Sequence, residues 1–210
     1  MHTSTKQLEW QGIHLWRGDR CLQSDLSGTL RAGQAITLRG PNGCGKTTLL
    51  RTLVGLTLPE RGEISWDGQP LHLSRSDLYS QLAYSGHANG LKSDLSPLEN
   101  LQFSQRLHAR TGDPTHALTA LGLSRCAKLP VRELSAGQKR RAALASVIGS
   151  GARIWVLDEP FTNVDTEGCS WLSGEFNRHL AQDGMLLLAA HQPTHIEADR
   201  EMLLELEEAN

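Results

Sequence analysis

A glycine-rich segment near residue 40 has the residue types and spacing of a phosphate-binding loop, or P-loop. It matches the pattern G-x-x-x-x-G-K-[ST], in which the glycines let backbone N–H groups turn towards phosphate oxygens. In such a loop Lys46 can reach the β and γ phosphates of a nucleotide, and the Thr47 hydroxyl can ligate Mg²⁺. The alternative is a glycine-rich turn that only begins a helix. The eight residues of the pattern are Gly40, Pro41, Asn42, Gly43, Cys44, Gly45, Lys46 and Thr47.

Two acidic residues follow a short apolar run in the last third of the chain. Asp158 and Glu159 come directly after Ile154–Leu157. Burying two carboxylates costs free energy unless a cation or a proton-transfer reaction uses them. Asp158 suits a contact with Mg²⁺, directly or through a water molecule, and Glu159 suits a base that polarises an attacking water. The alternative is a solvated strand end, which the presence of a P-loop pattern disfavours.

A third segment, Leu134–Gln138, comes immediately before a basic and alanine-rich stretch. Ser135 is predicted to be the N-cap of a helix, with Gln138 three residues later completing a capping box. A helix N-terminus that carries a serine hydroxyl and small residues can also bind an anion. The segment is therefore both an ordinary helix start and a candidate second anion site.

The elements around these segments predict an α/β protein. Ala35–Arg39 is a candidate strand, and residues 47–55 carry leucines at helical spacing, so the P-loop pattern lies between a strand and a helix. Ile154–Leu157 and Met185–Ala190 are continuous apolar runs, which are typical of strands buried on both faces of a parallel sheet.

The remaining parts of the chain are predicted to be an N-terminal β region and a helical middle. The first forty residues show short β segments with a tight turn at residues 17–19. From about Tyr84 to Leu134 the sequence is mostly helical in character. Ser96, Pro97 and Glu99 predict one helix start there, and a second helix is predicted at residues 117–121. We expect one α/β unit with a helical insertion.

Composition limits the class of protein. The 210 residues include 39% hydrophobic and 21% charged side chains, which suits one domain with a core. The net charge of −2 gives no basic field for nucleic acid. The longest apolar run is far shorter than the roughly 18–20 residues that cross a bilayer, and the N-terminus lacks the apolar stretch of a secretory signal. We therefore expect a soluble chain of the cytosolic type.

Cysteines and histidines do not predict a metal site made from protein ligands alone. The four cysteines are scattered without a C-x-x-C pair, which excludes the usual patterns of a disulfide framework, a zinc site or covalent haem attachment. His191 and His195 are four residues apart, but Pro193 between them argues against a shared helical face.

Taken in order, the P-loop, Leu134–Gln138, Asp158-Glu159-Pro160, Asp165 and His191 resemble the ATP-binding-cassette (ABC) ATPase family. The resemblance covers nearly the whole chain. It implies the α/β fold of P-loop NTPases of the ABC type, with a mixed β-sheet core, an N-terminal antiparallel β region and a helical subdomain. The core would comprise residues 1–83 and 136–210 approximately, and the helical subdomain residues 84–135.

The resemblance also implies a role for each motif in a homodimer that binds ATP and Mg²⁺ between two copies. Thr48 would join the P-loop residues at the nucleotide, and Trp16 would either stack on adenine or lie partly buried in the core. His191 would contact the γ-phosphate, and Asp165 would lie in the loop, or D-loop, that crosses the interface. His87 occupies the Q-loop position, where the family places glutamine. The signature residues that would face ATP held by the other copy are Ser135, Ala136, Gly137 and Gln138.

Three stretches also resemble one subfamily, the ATP-binding subunits of haem exporters in the cytochrome c maturation system. These are residues 85–92 with 98–101, residues 134–141, and residues 158–165. This resemblance implies a peripheral subunit at the cytoplasmic face of the inner membrane. Its partners would be an integral membrane subunit and associated cytochrome c maturation proteins, and ATP use would accompany haem export or release of a haem-loaded periplasmic chaperone.

Other P-loop functions fit the sequence less well. A non-transport cassette that acts on nucleic acid or ribosomes would carry coiled coils, twin cassettes or a strongly basic surface, which this sequence lacks. An idle nucleotide switch would lack the carboxylate of Glu159. A P-loop kinase would leave the segment Leu134–Gln138 and His191 without a function.

Overall fold

The computed structural model describes residues 6–86, 88–162, 164–197 and 199–206, in which two β-sheets pack with six α-helices. The strands are β1 (Gln7–Arg17), β2 (Arg20–Arg31), β3 (Ala35–Arg39), β4 (Arg61–Trp66), β5 (Gln69–Pro70), β6 (Leu82–Ser85), β7 (Ile154–Asp158), β8 (Met185–Ala189) and β9 (Glu201–Glu205). The helices are α1 (Lys46–Leu53), α2 (Leu71–Gln81), α3 (Pro97–Leu107), α4 (Pro114–Ala120), α5 (Ala136–Ile148) and α6 (Thr166–Ala181), with a 3₁₀ turn at Val131–Glu133.

The first sheet is antiparallel, with strand order β2-β1-β4-β5. Strands β1 and β2 form a hairpin that closes with Trp16 opposite Cys21 and Arg17 opposite Arg20. The turn between them contains Gly18 at a φ of 59°, a left-handed conformation that glycine adopts without a steric penalty. The predicted turn and antiparallel region are therefore present.

The second sheet is parallel, with strand order β6-β7-β8-β3-β9. The predicted fold is confirmed, and the structure separates its antiparallel and parallel strands into two sheets. In a parallel sheet the carboxyl ends of all strands lie along one edge, where α/β proteins commonly bind their ligands. That edge carries the P-loop after β3, Gly86 after β6, Glu159 after β7 and His191 beyond β8.

Alternate residues of the central strands enter two different cores. Ile154 and Val156 of β7 belong to a cluster shared with α1 and the antiparallel sheet. Trp155 and Leu157 belong to the cluster on the opposite face, which includes residues of α3 to α6. Because side chains alternate along a strand, burial on both faces requires the continuous apolar run that the sequence shows.

Helix starts follow the predicted caps. Ser96 accepts a hydrogen bond from the Glu99 N–H, and the Glu99 carboxylate accepts one from the Ser96 N–H at 2.8 Å. Helix α4 begins earlier than predicted, at Pro114, because the Asp113 carboxylate accepts hydrogen bonds from the N–H groups of Thr115 and His116. Helix α2 was not predicted.

The helices α3 and α4 lie in the chain between β6 and α5, inside the range predicted for the helical subdomain. The boundary of that subdomain, at residues 84–135, stays a prediction. None of the helices in the described ranges is both long and apolar enough to cross a bilayer.

Candidate active site

Three glycines give the P-loop its shape. Gly40, Gly43 and Gly45 have φ values of 141°, 85° and 108°, which side chains with a Cβ rarely adopt. Gly45 is the N-cap of α1 and supplies no side-chain hydrogen bond to the first turn of that helix. The N–H groups of this turn are therefore available to an anion, and the helix dipole favours negative charge at the same place.

The Lys46 side chain lies within the curve of the loop. Its ammonium group donates hydrogen bonds to the carbonyl oxygens of Gly40, at 2.8 Å, and Pro41, at 3.0 Å. The residue is only 7% exposed. An ammonium group has three N–H donors, so one remains to bind a phosphate oxygen while the loop carbonyls hold the other two. Lysine is thus placed where the P-loop pattern requires a cation.

Thr47 and Asp158 meet at the centre of the parallel sheet edge. The Thr47 hydroxyl donates a hydrogen bond of 2.8 Å to the Asp158 carboxylate. A hydroxyl beside a carboxylate fits Mg²⁺, which binds oxygen ligands and takes its other ligands from phosphates and water. No cluster of three or more His, Cys, Asp or Glu residues arranged for a metal occurs in the described ranges. A cation that is held by Thr47, Asp158 and the substrate phosphates does not require such a cluster of protein ligands.

Glu159 is held by its backbone in an uncommon conformation. Its φ is 54°, a left-handed value that is unfavourable for a residue with a side chain. Its N–H donates to the Ala189 carbonyl at 2.8 Å, which ties the end of β7 to the end of β8. Its own carbonyl accepts a hydrogen bond of 2.8 Å from the guanidinium of Arg140. Both peptide groups of this residue are therefore fixed by neighbours.

The Glu159 carboxylate faces His191. The His191 Nε2 atom lies 3.1 Å from a carboxylate oxygen of Glu159, although 32 residues separate the two in the sequence. Burial raises the pKa of Glu159 above its ordinary value, and the charges of His191 and Lys46 oppose that rise. A carboxylate with a raised pKa is a stronger base for water. The structure thus brings together the two residues predicted to be catalytic.

The segment Leu134–Gln138 forms the predicted capping box. The Ser135 hydroxyl accepts a hydrogen bond from the Gln138 N–H at 3.2 Å, and the Gln138 side-chain oxygen accepts one from the Ser135 N–H at 2.9 Å. Ala136 begins α5 with an ordinary negative φ, so its methyl group is compatible with the backbone. Ser135 and Ala136 are exposed, which leaves this helix start accessible to another molecule.

A family model described as ABC transporter matches residues 23–162, well over half of the chain, including the P-loop and Glu159. The chain belongs to the ABC transporter family. Among curated proteins, the cytochrome c biogenesis ATP-binding export protein CcmA of Escherichia coli (strain K12) is 44% identical to this ABC ATPase over 192 residues. That alignment covers 90% of this chain and 91% of the relative. The protein of the same description from Shigella flexneri has the same identity and coverage.

Solved structures share the fold of this ABC ATPase. An ATP binding subunit of an ABC transporter superimposes with a TM-score of 0.82 at 22% identity, covering 95% of this chain and 87% of that one. A dimeric bacterial ABC transporter cassette gives a TM-score of 0.79 at 20% identity, covering 95% and 94%. These likenesses confirm the predicted ABC ATPase fold.

Trp16 lies close in the chain to residues that contact the P-loop of the ABC ATPase. Gln23 of β2 donates a hydrogen bond of 3.0 Å to the Cys44 carbonyl, and Leu22 packs beside Gly45. Trp16 is paired with Cys21, next to these residues in the hairpin. It is 46% exposed, so it is not one of the fully buried core residues. Its role at adenine stays a prediction.

The other predicted site residues lie outside the cluster around Glu159. Asp165 is exposed and caps α6 by accepting a hydrogen bond of 2.8 Å from the Gly168 N–H. Phe161, two residues after Glu159, is buried and packs edge-on against Phe176. His87 lies outside the described residues, so its role at the Q-loop position stays a prediction.

Sequence reasoning missed Arg140, which is 8% exposed and contacts both acidic residues of the site through their carbonyls. It was predicted only as part of a basic helix. A signal was present, because Arg140, Leu144 and Val147 are spaced four and three residues apart and therefore share one helix face. Leu144 and Val147 are buried, so a charged residue on that face indicates a buried and partnered guanidinium.

Proposed function

We propose that this chain is the ATP-hydrolysing subunit of a membrane ABC complex in cytochrome c biogenesis. Two copies would bind MgATP between them and couple its hydrolysis to an integral membrane subunit. The ABC ATPase family membership supports ATP hydrolysis, and the 44% identity to CcmA proteins along 90% of the chain supports the cytochrome c biogenesis role.

The observation that carries the proposal is the set of contacts along one edge of the parallel sheet. Lys46, Thr47 and Asp158 form a place for triphosphate and a divalent cation, while Glu159 and His191 lie side by side next to it. These are the groups that phosphoryl transfer to water requires: a cationic cradle for the phosphates and a base for the nucleophile. The cation, when bound with ATP, would neutralise phosphate charge.

In the proposed reaction Glu159 accepts a proton from the attacking water, for which its raised pKa suits it. His191 would orient that water or the γ-phosphate through the ring nitrogen that lies 3.1 Å from Glu159. Lys46 would stabilise charge on the β and γ phosphates, in a loop whose backbone N–H groups bind the same oxygens. Thr48 and the exposed Trp16 would contact the nucleotide at the periphery of this site.

A second copy of the chain would complete each site. The exposed helix start at Ser135 and Ala136 offers a hydroxyl, free N–H groups and a helix dipole, which suit the γ-phosphate of ATP bound to the partner copy. Gly137 and Gln138 continue this surface. Asp165 would lie at the same interface, near the partner's nucleotide. A two-fold dimer built this way contains two equivalent composite sites.

The membrane subunit would dock in a cavity of 410 Å³ between α3 and β6. Phe103 and Leu107 of α3 line it and expose 46% and 67% of their surface, which is much for apolar side chains. Tyr84 of β6 lines the opposite wall, two residues before Gly86. A subunit docked in this cavity would contact β6, the strand that ends beside Gly86 at the ATP site. We propose a peripheral location at the cytoplasmic face of the inner membrane.

Complementation tests the proposed function in a cell. The gene would be expressed in Escherichia coli from which CcmA has been deleted, and c-type cytochromes would be measured by haem staining. Restoration by the wild-type chain, but not by Lys46→Ala, is expected. Affinity purification from the membranes should recover an integral membrane subunit whose presence raises the ATPase rate of the chain. Hydrolysis without restored cytochromes, and without such a subunit, would retain the ATPase and contradict the biogenesis role.

A further inference from the structure

Arg140 connects three segments of the site through a single guanidinium group. It donates a hydrogen bond of 2.8 Å to the Gly86 carbonyl, at the end of β6. It donates another of 2.8 Å to the Glu159 carbonyl and a third to the Asp158 carbonyl. The side chain is carried by α5, the helix that begins at the Ser135 cap. One buried cation therefore holds the ends of β6 and β7 against the helix.

We propose that Arg140 is a positioning residue that holds the Glu159 peptide in the conformation needed for hydrolysis. The inference rests on the proposed role of Glu159 as the base. Arg140 would act through the backbone, since its hydrogen bonds go to carbonyl oxygens and leave the carboxylate of Glu159 free to face His191. It touches neither the nucleotide nor the water in this proposal.

The backbone of Glu159 explains why such a residue is needed. A φ of 54° is unfavourable for glutamate, and it persists only where the surroundings over-determine it. The N–H is fixed by the Ala189 carbonyl, while the Glu159 carbonyl accepts hydrogen bonds from Arg140, at 2.8 Å, and from the Thr162 N–H, at 3.3 Å. Without Arg140 only the longer hydrogen bond from Thr162 restrains this carbonyl, so the Glu159 peptide can rotate towards a negative φ. That rotation would move the carboxylate away from His191.

Arginine suits this place better than other donors. The guanidinium has five N–H donors in a rigid plane, so it can reach carbonyls on two strands at once. Asp158 and Glu159 also provide negative charge that opposes the loss of hydration on burial, although burial still lowers the pKa of Arg140. A lysine presents one compact ammonium, and a glutamine presents two N–H groups on a shorter chain. Neither reproduces the three contacts.

The contact with Gly86 extends the proposal to coupling with the membrane subunit. Gly86 follows β6, and β6 forms one wall of the cavity proposed for docking. A shift of β6 on docking would move the Gly86 carbonyl, which shares the guanidinium with Glu159. Arg140 is therefore placed to pass that displacement to the base.

The test compares Arg140→Gln with Arg110→Gln in the purified full-length chain. Arg110 is a matched control because its guanidinium also bonds three backbone carbonyls, those of Tyr79, Ser80 and Leu82, and none of them belongs to the catalytic residues. We expect Arg140→Gln to lower kcat at least about 10-fold, with the dissociation constant for MgATP changed less than about 3-fold. Arg110→Gln should keep the wild-type kcat. Equal losses of kcat in both variants would indicate a general structural effect and overturn the proposal.

A double-variant cycle separates this inference from the proposed function. If Arg140 acts through Glu159, then adding Arg140→Gln to Glu159→Gln should lower the residual rate no further. Additive losses would contradict the proposal. A normal kcat in Glu159→Gln would instead overturn the role of Glu159 itself. If Arg140→Gln does not fold, Arg140→Lys takes its place with the same expected direction, and a wild-type kcat in a folded Arg140→Lys or Arg140→Gln protein overturns the inference.

Discussion

The Thr47 hydroxyl donates a hydrogen bond of 2.8 Å to the Asp158 carboxylate, across 111 residues of sequence. Thr47 is the last residue of the P-loop pattern and lies in the first turn of α1, and Asp158 ends β7, so the contact joins the phosphate-binding loop to the acidic strand end. It exists because β3, β7 and β8 are parallel and end at one edge of the sheet. The pair marks where a divalent cation would bridge protein and triphosphate.

Replacing Lys46 with alanine should weaken MgATP binding by about 100-fold or more, because it removes charge-assisted hydrogen bonds to the β and γ phosphates. Equilibrium titration with a fluorescent ATP analogue measures the change. Lys128→Ala, at an exposed lysine away from the loop, is the matched control and should bind normally. Unchanged affinity in a folded Lys46→Ala protein would show that the glycine-rich segment is not the nucleotide site.

Replacing Glu159 with glutamine should preserve MgATP binding and lower hydrolysis by about 100-fold or more, since an amide keeps the shape but cannot accept the proton. The variant should accumulate as an ATP-loaded dimer. Sedimentation with and without MgATP measures this, and Lys46→Ala combined with Glu159→Gln is the control that should stay monomeric. A Glu159→Gln monomer that hydrolyses ATP at the wild-type rate would refute the two-copy mechanism.

The rate of hydrolysis should fall at acid pH as Glu159 becomes protonated. Burial raises the pKa of this carboxyl above 4.5, and the nearby His191 lowers it again in part. The base is active only when deprotonated, so the acid limb of the kcat profile should lie above pH 4.5. His191→Gln should lower the rate and also move that limb to higher pH. If the acid limb of the kcat profile stays at the same pH in His191→Gln, then His191 and Glu159 do not interact electrostatically.

His179 should make the fold less stable at acid pH, independently of the ATP site. Its ring stacks on the Trp155 ring with 3.8 Å between the ring centroids, and burial lowers its pKa from 6.5 to about 4. Between these values the unfolded chain binds a proton that the folded chain does not. Stability from this group is therefore present above pH 6.5 and is lost as pH falls towards 4, by roughly 3 kcal/mol.

Denaturant unfolding at pH 7 and pH 4.5 measures this dependence. His179→Phe keeps the stacked ring and removes the titration, so its stability should change less between the two pH values than that of the wild type. His72→Phe, at an exposed histidine, is the control and should behave like the wild type. An unchanged pH dependence in His179→Phe would contradict the assignment.

The motifs could be predicted from the sequence because each one combines a local pattern with a specific chemistry. The P-loop glycines, the Ser135 capping box and the apolar strand before Asp158 are properties of short segments, and the structure contains each of them. Contacts between residues far apart in the sequence could not be predicted from such local patterns. The 3.1 Å approach of His191 to Glu159 depends on β7 and β8 being neighbours, and that pairing is set by the whole sheet.

The features that were missed depend on tertiary surroundings. A left-handed φ is usually indicated in a sequence by glycine or asparagine, and position 159 is a glutamate. Its conformation is instead stabilised by hydrogen bonds with Ala189 and Arg140 from other elements. Helix α2 has apolar residues without a clear helical stripe, and only Leu71 and Leu78 are buried in it. Its place is set by packing against β4 rather than by its own pattern.

The most direct test of the central claim, that two copies share each ATP site, mixes two inactive variants. Lys46→Ala removes the P-loop cation, and Gly137→Asp places a negative charge on the signature helix facing the partner's phosphate. A Cβ at Gly137 meets no atom within 4 Å, so the fold should accept the substitution. Gly174→Asp, at a similarly open position in α6, is the control and should stay active.

Each variant alone should be inactive, because both of its composite sites lack one essential half. In a mixed dimer one site combines an intact P-loop from one copy with an intact signature from the other. An equimolar mixture should therefore recover up to about a quarter of the wild-type ATPase rate, since half the dimers are mixed and each has one complete site. A mixture as inactive as its components, in which mixed dimers form with MgATP, would contradict a site shared between two copies.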